Sequence, residues 1–267
     1  MRIGRIGYIN CAPVYGAIDH GIVALPPGGE LVTGTPSELN DLLVAGELDM
    51  SVISAIEYAR HAKDLLLLPD LAISCDGPVR SVALFSKRAV ERLGGSTVLL
   101  SASSRTSVAL LELLCRDVWK IRPKFAEARA EAQDLEALAS LPHEAVLVIG
   151  DAALKLAAAG TYAHRYDLGE EWKRWTGKPF VFAVWAATRV ASPAAVHRGH
   201  AALLESRAWG LAHLDEIARE TAQLTQLPVA TCREYLSGLD YAFTDTHRAA
   251  LSDFLRRAGV PQFMQVA

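Results

Sequence analysis

The stretch Val98-Leu-Leu-Ser-Ala-Ser-Ser-Arg-Thr-Ser-Val-Ala-Leu-Leu-Glu-Leu-Leu114 starts as a short apolar strand. It passes through Ser101, Ser103, Ser104, Arg105, Thr106 and Ser107, then continues with helical apolar spacing at Val108, Leu111 and Leu114. A strand that turns directly into a helix leaves the first backbone N–H groups of that helix unpaired, and the macrodipole adds partial positive charge there. Such a terminus suits an anion. N-capping by Ser103 or Ser104 would use one hydroxyl. The remaining hydroxyls and Arg105 are surplus to a cap and point to a small anionic ligand.

The same alternation runs outward on both sides. Residues 2–7 read as a strand that ends in a turn holding Asn10, with Pro13 suited to the first position of a helix. Asn10 therefore stands where open α/β sheets place ligand-contacting groups, although an Asx-type cap explains it equally well. A second strand at 30–34 precedes Thr35-Pro-Ser-Glu38, a capping box with proline at the first helical position. A third, at 47–54, runs into Ser54-Ala-Ile-Glu57, a second capping box that gives Ser54 a structural role beside a ligand-facing one. Gly150-Asp151 ends another strand and opens a helix, so Asp151 either caps that helix or faces a cleft.

Two strand-like runs, 79–86 and 180–187, bracket a compact α/β block, and after Thr188 the pattern is helical to the end. The chain is thus expected to enter one lobe, cross to a second near Phe85 and cross back near Val184. Lobe one would comprise 1–84 plus 186–267, with the helical C-terminal segment, and lobe two 85–185. A cleft between two such lobes is a frequent ligand site. Residues 166–179, with two tryptophans among charges, read as a surface loop pinned by its aromatics, or else as a lid.

Composition narrows the partner. The 267 residues are 51% hydrophobic with a net charge of −3, enough for a real core and without the basic run that nucleic acid requires. Positive charge for an anion would come from single residues such as Arg80, Arg105 or Lys178, or from helix ends. The four scattered cysteines (Cys11, Cys75, Cys115, Cys232) fit reduced thiols. No apolar run reaches the roughly 18 residues of a membrane span. Met1-Arg-Ile-Gly-Arg-Ile-Gly7 enters a strand at once, so the expectation is a cytoplasmic protein without a membrane partner. Motifs of zinc proteases, serine hydrolases, P-loops and dinucleotide folds are absent. His197 and His200 read as surface residues and no metal is expected.

Several segments together resemble a known family. Arg5-Ile-Gly-Tyr-Ile-Asn-Cys-Ala-Pro-Val-Tyr15 is similar to the opening motif of the chorismate dehydratases of the futalosine route to menaquinone. Pro36-Ser-Glu-Leu-Asn40, Gly46-Glu-Leu-Asp49, Ile53-Ser-Ala-Ile-Glu-Tyr-Ala59 and Leu68-Pro-Asp-Leu-Ala-Ile-Ser74 continue the match. So do Asp76-Gly-Pro-Val-Arg-Ser-Val82, Tyr166-Asp-Leu-Gly-Glu-Glu-Trp172 and Trp175-Thr-Gly-Lys-Pro-Phe-Val-Phe-Ala-Val-Trp185. The resemblance covers roughly residues 3–190; the tail matches only in general character. It implies a fold like the type II periplasmic binding proteins, with two α/β lobes joined by two hinge strands. It also implies a cofactor-free lyase that dehydrates chorismate to 3-[(1-carboxyvinyl)oxy]benzoate. The family's catalytic asparagine and serine map onto Asn10 and Ser81. Ser54, Arg80, Ser103, Ser104, Arg105, Thr106, Ser107 and Asp151 are then candidate substrate contacts, with Asp151 an alternative general base to the substrate's own side-chain carboxylate. The sister enzyme that makes 1,4-dihydroxy-6-naphthoate opens with S-x-C-P-N-D-T, which this chain lacks. A non-catalytic small-anion sensor of the same fold is the other reading, and both monomer and homodimer are open.

Overall fold

The computed structural model describes residues 1–260. Two five-stranded mixed sheets organise them, in the strand orders β2-β1-β3-β10-β4 and β7-β6-β8-β5-β9. The first sheet takes β1 (Arg2–Ile6), β2 (Glu30–Gly34), β3 (Met50–Ser54), β4 (Leu65–Cys75) and β10 (Phe180–Thr188). The second takes β5 (Val82–Ser86), β6 (Thr97–Ser101), β7 (Lys124–Ala128), β8 (Ala145–Ile149) and β9 (His164–Asp167). Strand and helix alternate as the apolar periodicities predict. α1 (Ala12–Asp19), α2 (Pro36–Val44) and α3 (Ala55–Arg60) belong to the first sheet's crossovers, and α4 (Arg105–Leu113), α5 (Leu135–Ser140) and α6 (Gly150–Ala159) to the second's. α2 carries the predicted capping box, with Thr35 and Glu38 bonded reciprocally. Ser104 caps α4 by accepting from the Ser107 amide at 3.3 Å.

β3, β5, β8 and β10 are buried at every position, as strands covered on both faces must be. The helices that cover them bury their apolar sides in one continuous core running through both lobes. A smaller cluster of Ala83, Phe85, Leu99, Val146 and Val148 lies on the other face of the second sheet.

One strand in each sheet opposes its neighbours: β10 runs antiparallel to β3 and β4, and β5 antiparallel to β8 and β9. These are the strands that follow each crossing. Their reversed direction brings their amino ends to the same cleft as the carboxyl ends of β1, β3, β6 and β8. That arrangement gives the two-lobed, type II binding-protein architecture.

The crossings lie outside these strands. Phe85 is inside β5, paired on both edges within the second sheet, and Val184 is inside β10, paired on both edges within the first. A strand hydrogen-bonded along both edges has no freedom to act as the joint. The chain leaves the first sheet after Cys75 and enters the second at Val82, then returns through α7 (Leu168–Thr176) to Phe180. We propose lobe limits at 76–81 and 168–179 in place of 84/85 and 185/186.

The two crossings are locked together by one carboxylate. Asp167 accepts the amides of Val79 at 3.0 Å and Arg80 at 2.6 Å, and caps α7 by accepting those of Gly169 at 3.0 Å and Glu170 at 3.1 Å. Gly169 permits the approach, since a Cβ there would stand 2.6 Å from Cys75 Sγ and 2.7 Å from the Gly77 carbonyl oxygen. Residues 166–179 are therefore neither loop nor lid. The charges of Glu170, Lys173 and Arg174 lie toward solvent, while Trp172 is fully buried against Phe180 and Phe254.

After β10 the chain is helical: α8 (Pro193–Ala212), α9 (Leu214–Thr225), α10 (Val229–Ser237) and α11 (Asp245–Arg257). No helix among the described residues is long and apolar enough to cross a membrane. The four cysteines are free and buried.

Removing the Asp167 carboxylate leaves four amides without their acceptor, two of them in the first crossing. Asp167→Ala is expected to cost on the order of 3 kcal/mol of unfolding free energy. Urea denaturation would measure it, and a loss under about 1 kcal/mol would contradict this role.

Candidate active site

Strand ends from both sheets close around a narrow cavity of about 60 Å³. Its polar lining is Tyr8, Asn10, Ser54, Ser81, Ser104, Thr106 and Ser107; Ile6, Pro36, Ile73, Val82, Ile149 and Phe182 supply apolar walls. The mixture of hydroxyls, one amide and apolar walls suits a small molecule with several oxygens and an apolar body. No Asp, Glu, His, Lys or Arg is among the residues that line it.

Six of the ten residues singled out from sequence meet here. Asn10 follows β1 on a short 3-10 turn, Ile9–Cys11. Its Oδ1 is buried and has no hydrogen-bond partner among the described residues. A buried acceptor left unpaired costs about 1–3 kcal/mol, and a ligand donor relieves that cost. Ser81 is 3% exposed, and its Oγ accepts from the Tyr235 hydroxyl at 2.8 Å.

Ser54 does not form the expected side-chain cap of α3. Glu57 turns away to Arg60 and Arg105, and Ser54 is held instead by Asn40, whose Nδ2 donates to its Oγ while Oδ1 accepts its amide, both at 3.0 Å. Ser54 thus has a structural partner other than the expected cap, and it also lines the cavity. Across the cleft, Thr106 Oγ1 accepts the Ile56 amide at 3.2 Å, which brings the first turns of α3 and α4 to the same wall.

The other four lie elsewhere. Arg80 has a left-handed backbone (φ 65°) and sends its guanidinium outward to Glu234 at 2.7 Å. Arg105 bridges the lobes on the outer side of α4, 2.6 Å from both Glu57 and Asp41. Ser103 donates to Glu131, which also accepts from Tyr8 at 2.8 Å. Asp151 does not line the cavity; it accepts the Ile9 amide at 3.1 Å. Tyr8, Thr35, Glu38, Glu131 and Asp151 line a second pocket that shares Tyr8 with the first. Burial, with Glu131 nearby, raises the Tyr8 phenol well above its ordinary range and so keeps it neutral. Gly150 makes room for Tyr8, because at φ 63° a Cβ would lie 2.8 Å from the Tyr8 ring.

Sequence reasoning missed Tyr8, Gly150, Asn40, Glu131 and Tyr235. Tyr8 and Gly150 sit beside residues that were chosen, at the same strand ends. Asn40, Glu131 and Tyr235 are defined by partners distant in the chain and carry no local signal.

A two-lobed binding-protein fold with a neutral, donor-lined cleft is the class that this geometry defines. Over residues 1–259 the sequence matches the model of a family described as menaquinone biosynthesis, and the chain belongs to that family. It is 34% identical to a chorismate dehydratase of Thermus thermophilus, over 97% of this chain and 95% of the relative. It is 31% identical to a chorismate dehydratase of Campylobacter jejuni, over 68% of this chain and 66% of the relative. Among solved structures, a protein from Archaeoglobus fulgidus superposes with a TM-score of 0.79 at 20% identity, covering 97% of this chain and 96% of that one. The alkanesulfonate-binding protein SsuA of Xanthomonas axonopodis pv. citri, bound to MOPS, superposes with a TM-score of 0.66 at 17% identity, covering 100% and 96%. These two share the fold.

Burial pushes the Asp151 carboxyl up to about 6, against the opposing effects of the Ile9 amide and Lys155. A raised carboxyl pKa means the folded state holds the proton more tightly than the unfolded one. The stability this group contributes therefore falls as pH rises from 3.8 to about 6, and stays low above that. Asp151→Asn keeps an acceptor for Ile9 but removes the ionisation. The variant is expected to gain Tm relative to the parent at pH 8 and not at pH 4, and a Tm difference independent of pH would contradict the assignment.

Proposed function

We propose that this protein dehydrates chorismate to 3-[(1-carboxyvinyl)oxy]benzoate, the reaction for which its Thermus and Campylobacter relatives are named. The observation that carries the reading is the buried, unpartnered Asn10 Oδ1, sharing with Ser81 a cavity that has apolar walls. Chorismate is a cyclohexadiene with a ring hydroxyl and two carboxylates. The apolar residues suit its ring, and the hydroxyls of Thr106 and Ser107 with the first turn of α4 suit a carboxylate. The reaction takes the ring proton beside the enolpyruvyl ether. The electrons of that C–H bond form the third ring double bond as the adjacent C–O bond breaks, and hydroxide leaves with the proton as water.

In this mechanism Asn10 Oδ1 accepts from the ring hydroxyl and fixes its direction, while Ser81 donates to the departing oxygen. Aromatisation supplies a large driving force, so a strong protein base is unnecessary. The lining carries no carboxylate, imidazole or amine, which supports the substrate's own side-chain carboxylate as the base. Asp151, 3.1 Å from the Ile9 amide and outside the lining, is the alternative. The sister activity on naphthoate precursors is disfavoured by the opening motif.

Incubation with chorismate should remove the cyclohexadiene absorbance and yield one equivalent of the benzoate product; tight binding without product would instead make this a sensor. Asn10→Ala and Ser81→Ala should each lower kcat by about 10²-fold or more while folding normally. Near-normal turnover in both would refute the assignment, and selective loss in Asp151→Asn would move the base to Asp151.

A further inference from the structure

Ser81 is held by a residue far away in the chain. Tyr235 lies on α10, in the helical tail, and is 154 positions away in sequence. Its ring is buried at 1% exposure, and its hydroxyl reaches Ser81 Oγ at 2.8 Å. One residue earlier on α10, Glu234 meets Arg80 at 2.7 Å. Two adjacent residues of α10 therefore hold two adjacent residues of the first crossing, one pair at the surface and one inside. On its other side, the Ser81 carbonyl accepts the Gly150 amide at 2.7 Å, at the head of β8's following helix.

The direction of the buried bond follows from acidity. A phenol is a stronger donor than an alkyl alcohol, and the alcohol oxygen is the better acceptor. Tyr235 therefore gives its proton to a lone pair of Ser81, and the Ser81 proton has to point elsewhere. Ser81 lines the cavity, so that proton is available to a ligand oxygen. Burial raises the Tyr235 phenol far above its ordinary range, which keeps it a neutral donor across the working pH range. A chain of two hydroxyls polarises along its length, so the first bond strengthens the second.

We propose that Tyr235 is a positioning residue for the dehydration: its hydroxyl fixes Ser81 as a hydrogen-bond donor aimed at the departing oxygen of the substrate. The inference rests on the dehydratase reading above. It makes the tail part of the active site, and it makes the effect of Tyr235 conditional on Ser81.

Tyr235→Phe keeps the ring and removes the donor. Losing one oriented hydrogen bond of this kind should lower kcat by about tenfold with KM within about twofold, because the bond matters as the leaving oxygen gains charge. In a Ser81→Ala background, followed by single turnover with excess enzyme over hours, the same change should have no further effect. A purely structural contribution would lower Tm and reduce the rate by the same factor in both backgrounds, overturning the proposal, as would a fully active Tyr235→Phe. Should that variant fold poorly, 3-fluorotyrosine at position 235 retains the packing and sharpens the donor. It should leave kcat at or above the parent value, and a tenfold loss would refute the role. An unmodified protein that does not convert chorismate would overturn the functional reading itself, and this inference with it.

Discussion

Much of this structure depends on the four amides gathered by Asp167. A two-lobed protein has to pass its chain between lobes twice, and each passage is a place where backbone polar groups lose their sheet partners. Here one buried carboxylate serves both passages, accepting from Val79 and Arg80 on the outward segment and from Gly169 and Glu170 at the head of α7 on the return. Charge-assisted bonds of this kind are about twice as strong as neutral ones. The grip also accommodates the left-handed backbone of Arg80, a conformation that costs of order 1–3 kcal/mol for a residue with a side chain. Ser81 comes next, so its position is set by the same lock that joins the lobes.

Among the described residues the cleft is lined without charged side chains, and that follows from where the charges have gone. Arg105 is occupied by Asp41 and Glu57, Arg80 by Glu234, and Glu131 by Tyr8 and Ser103. Most of these lie at the rim or outer faces, although Glu57 is buried, and several span the lobes. What remains inside is a set of hydroxyls, one amide and the first turns of helices. Such groups stabilise an anion with little reorganisation because the fold already holds them in place. The exposed pairs, such as Arg80 with Glu234, are each worth about 1 kcal/mol or less. They can bias the lobes toward closure without holding them shut against a ligand.

The strand-end rule made much of the site legible. Asn10, Ser54, Ser104, Thr106 and Ser107 each fall where a strand gives way to a turn or helix, Ser81 is reached through the family resemblance, and the cavity gathers all six. Ser54 shows how far local rules reach: its capping box was a correct pattern, yet Glu57 found Arg60 and Arg105 and the cap did not form. Ser103, Arg105 and Asp151 show the limit. Each stands at the expected strand end, but side-chain direction is decided by partners 28, 48 and 142 positions away. The periodicity also located the strands that border each crossing while misplacing the crossings themselves, because a fully buried strand reads the same whether it lies within a sheet or links two.

A cleft between two α/β lobes is a general device for holding small anions, as the alkanesulfonate-binding protein of the same fold illustrates. Holding a substrate and directing a hydroxyl at one of its oxygens are different demands. A serine at a strand end can rotate, and in a site rich in hydroxyls its proton has several acceptors to choose from. A buried phenol that occupies its lone pair removes that freedom without adding charge to the cavity. The residue that does so here comes from α10, which packs on the first crossing through the adjacent Arg80–Glu234 pair. The helical tail thus has a physical reason to be part of the fold beyond covering a sheet: it sets the proton on Ser81, while Asp167 sets the backbone beneath it.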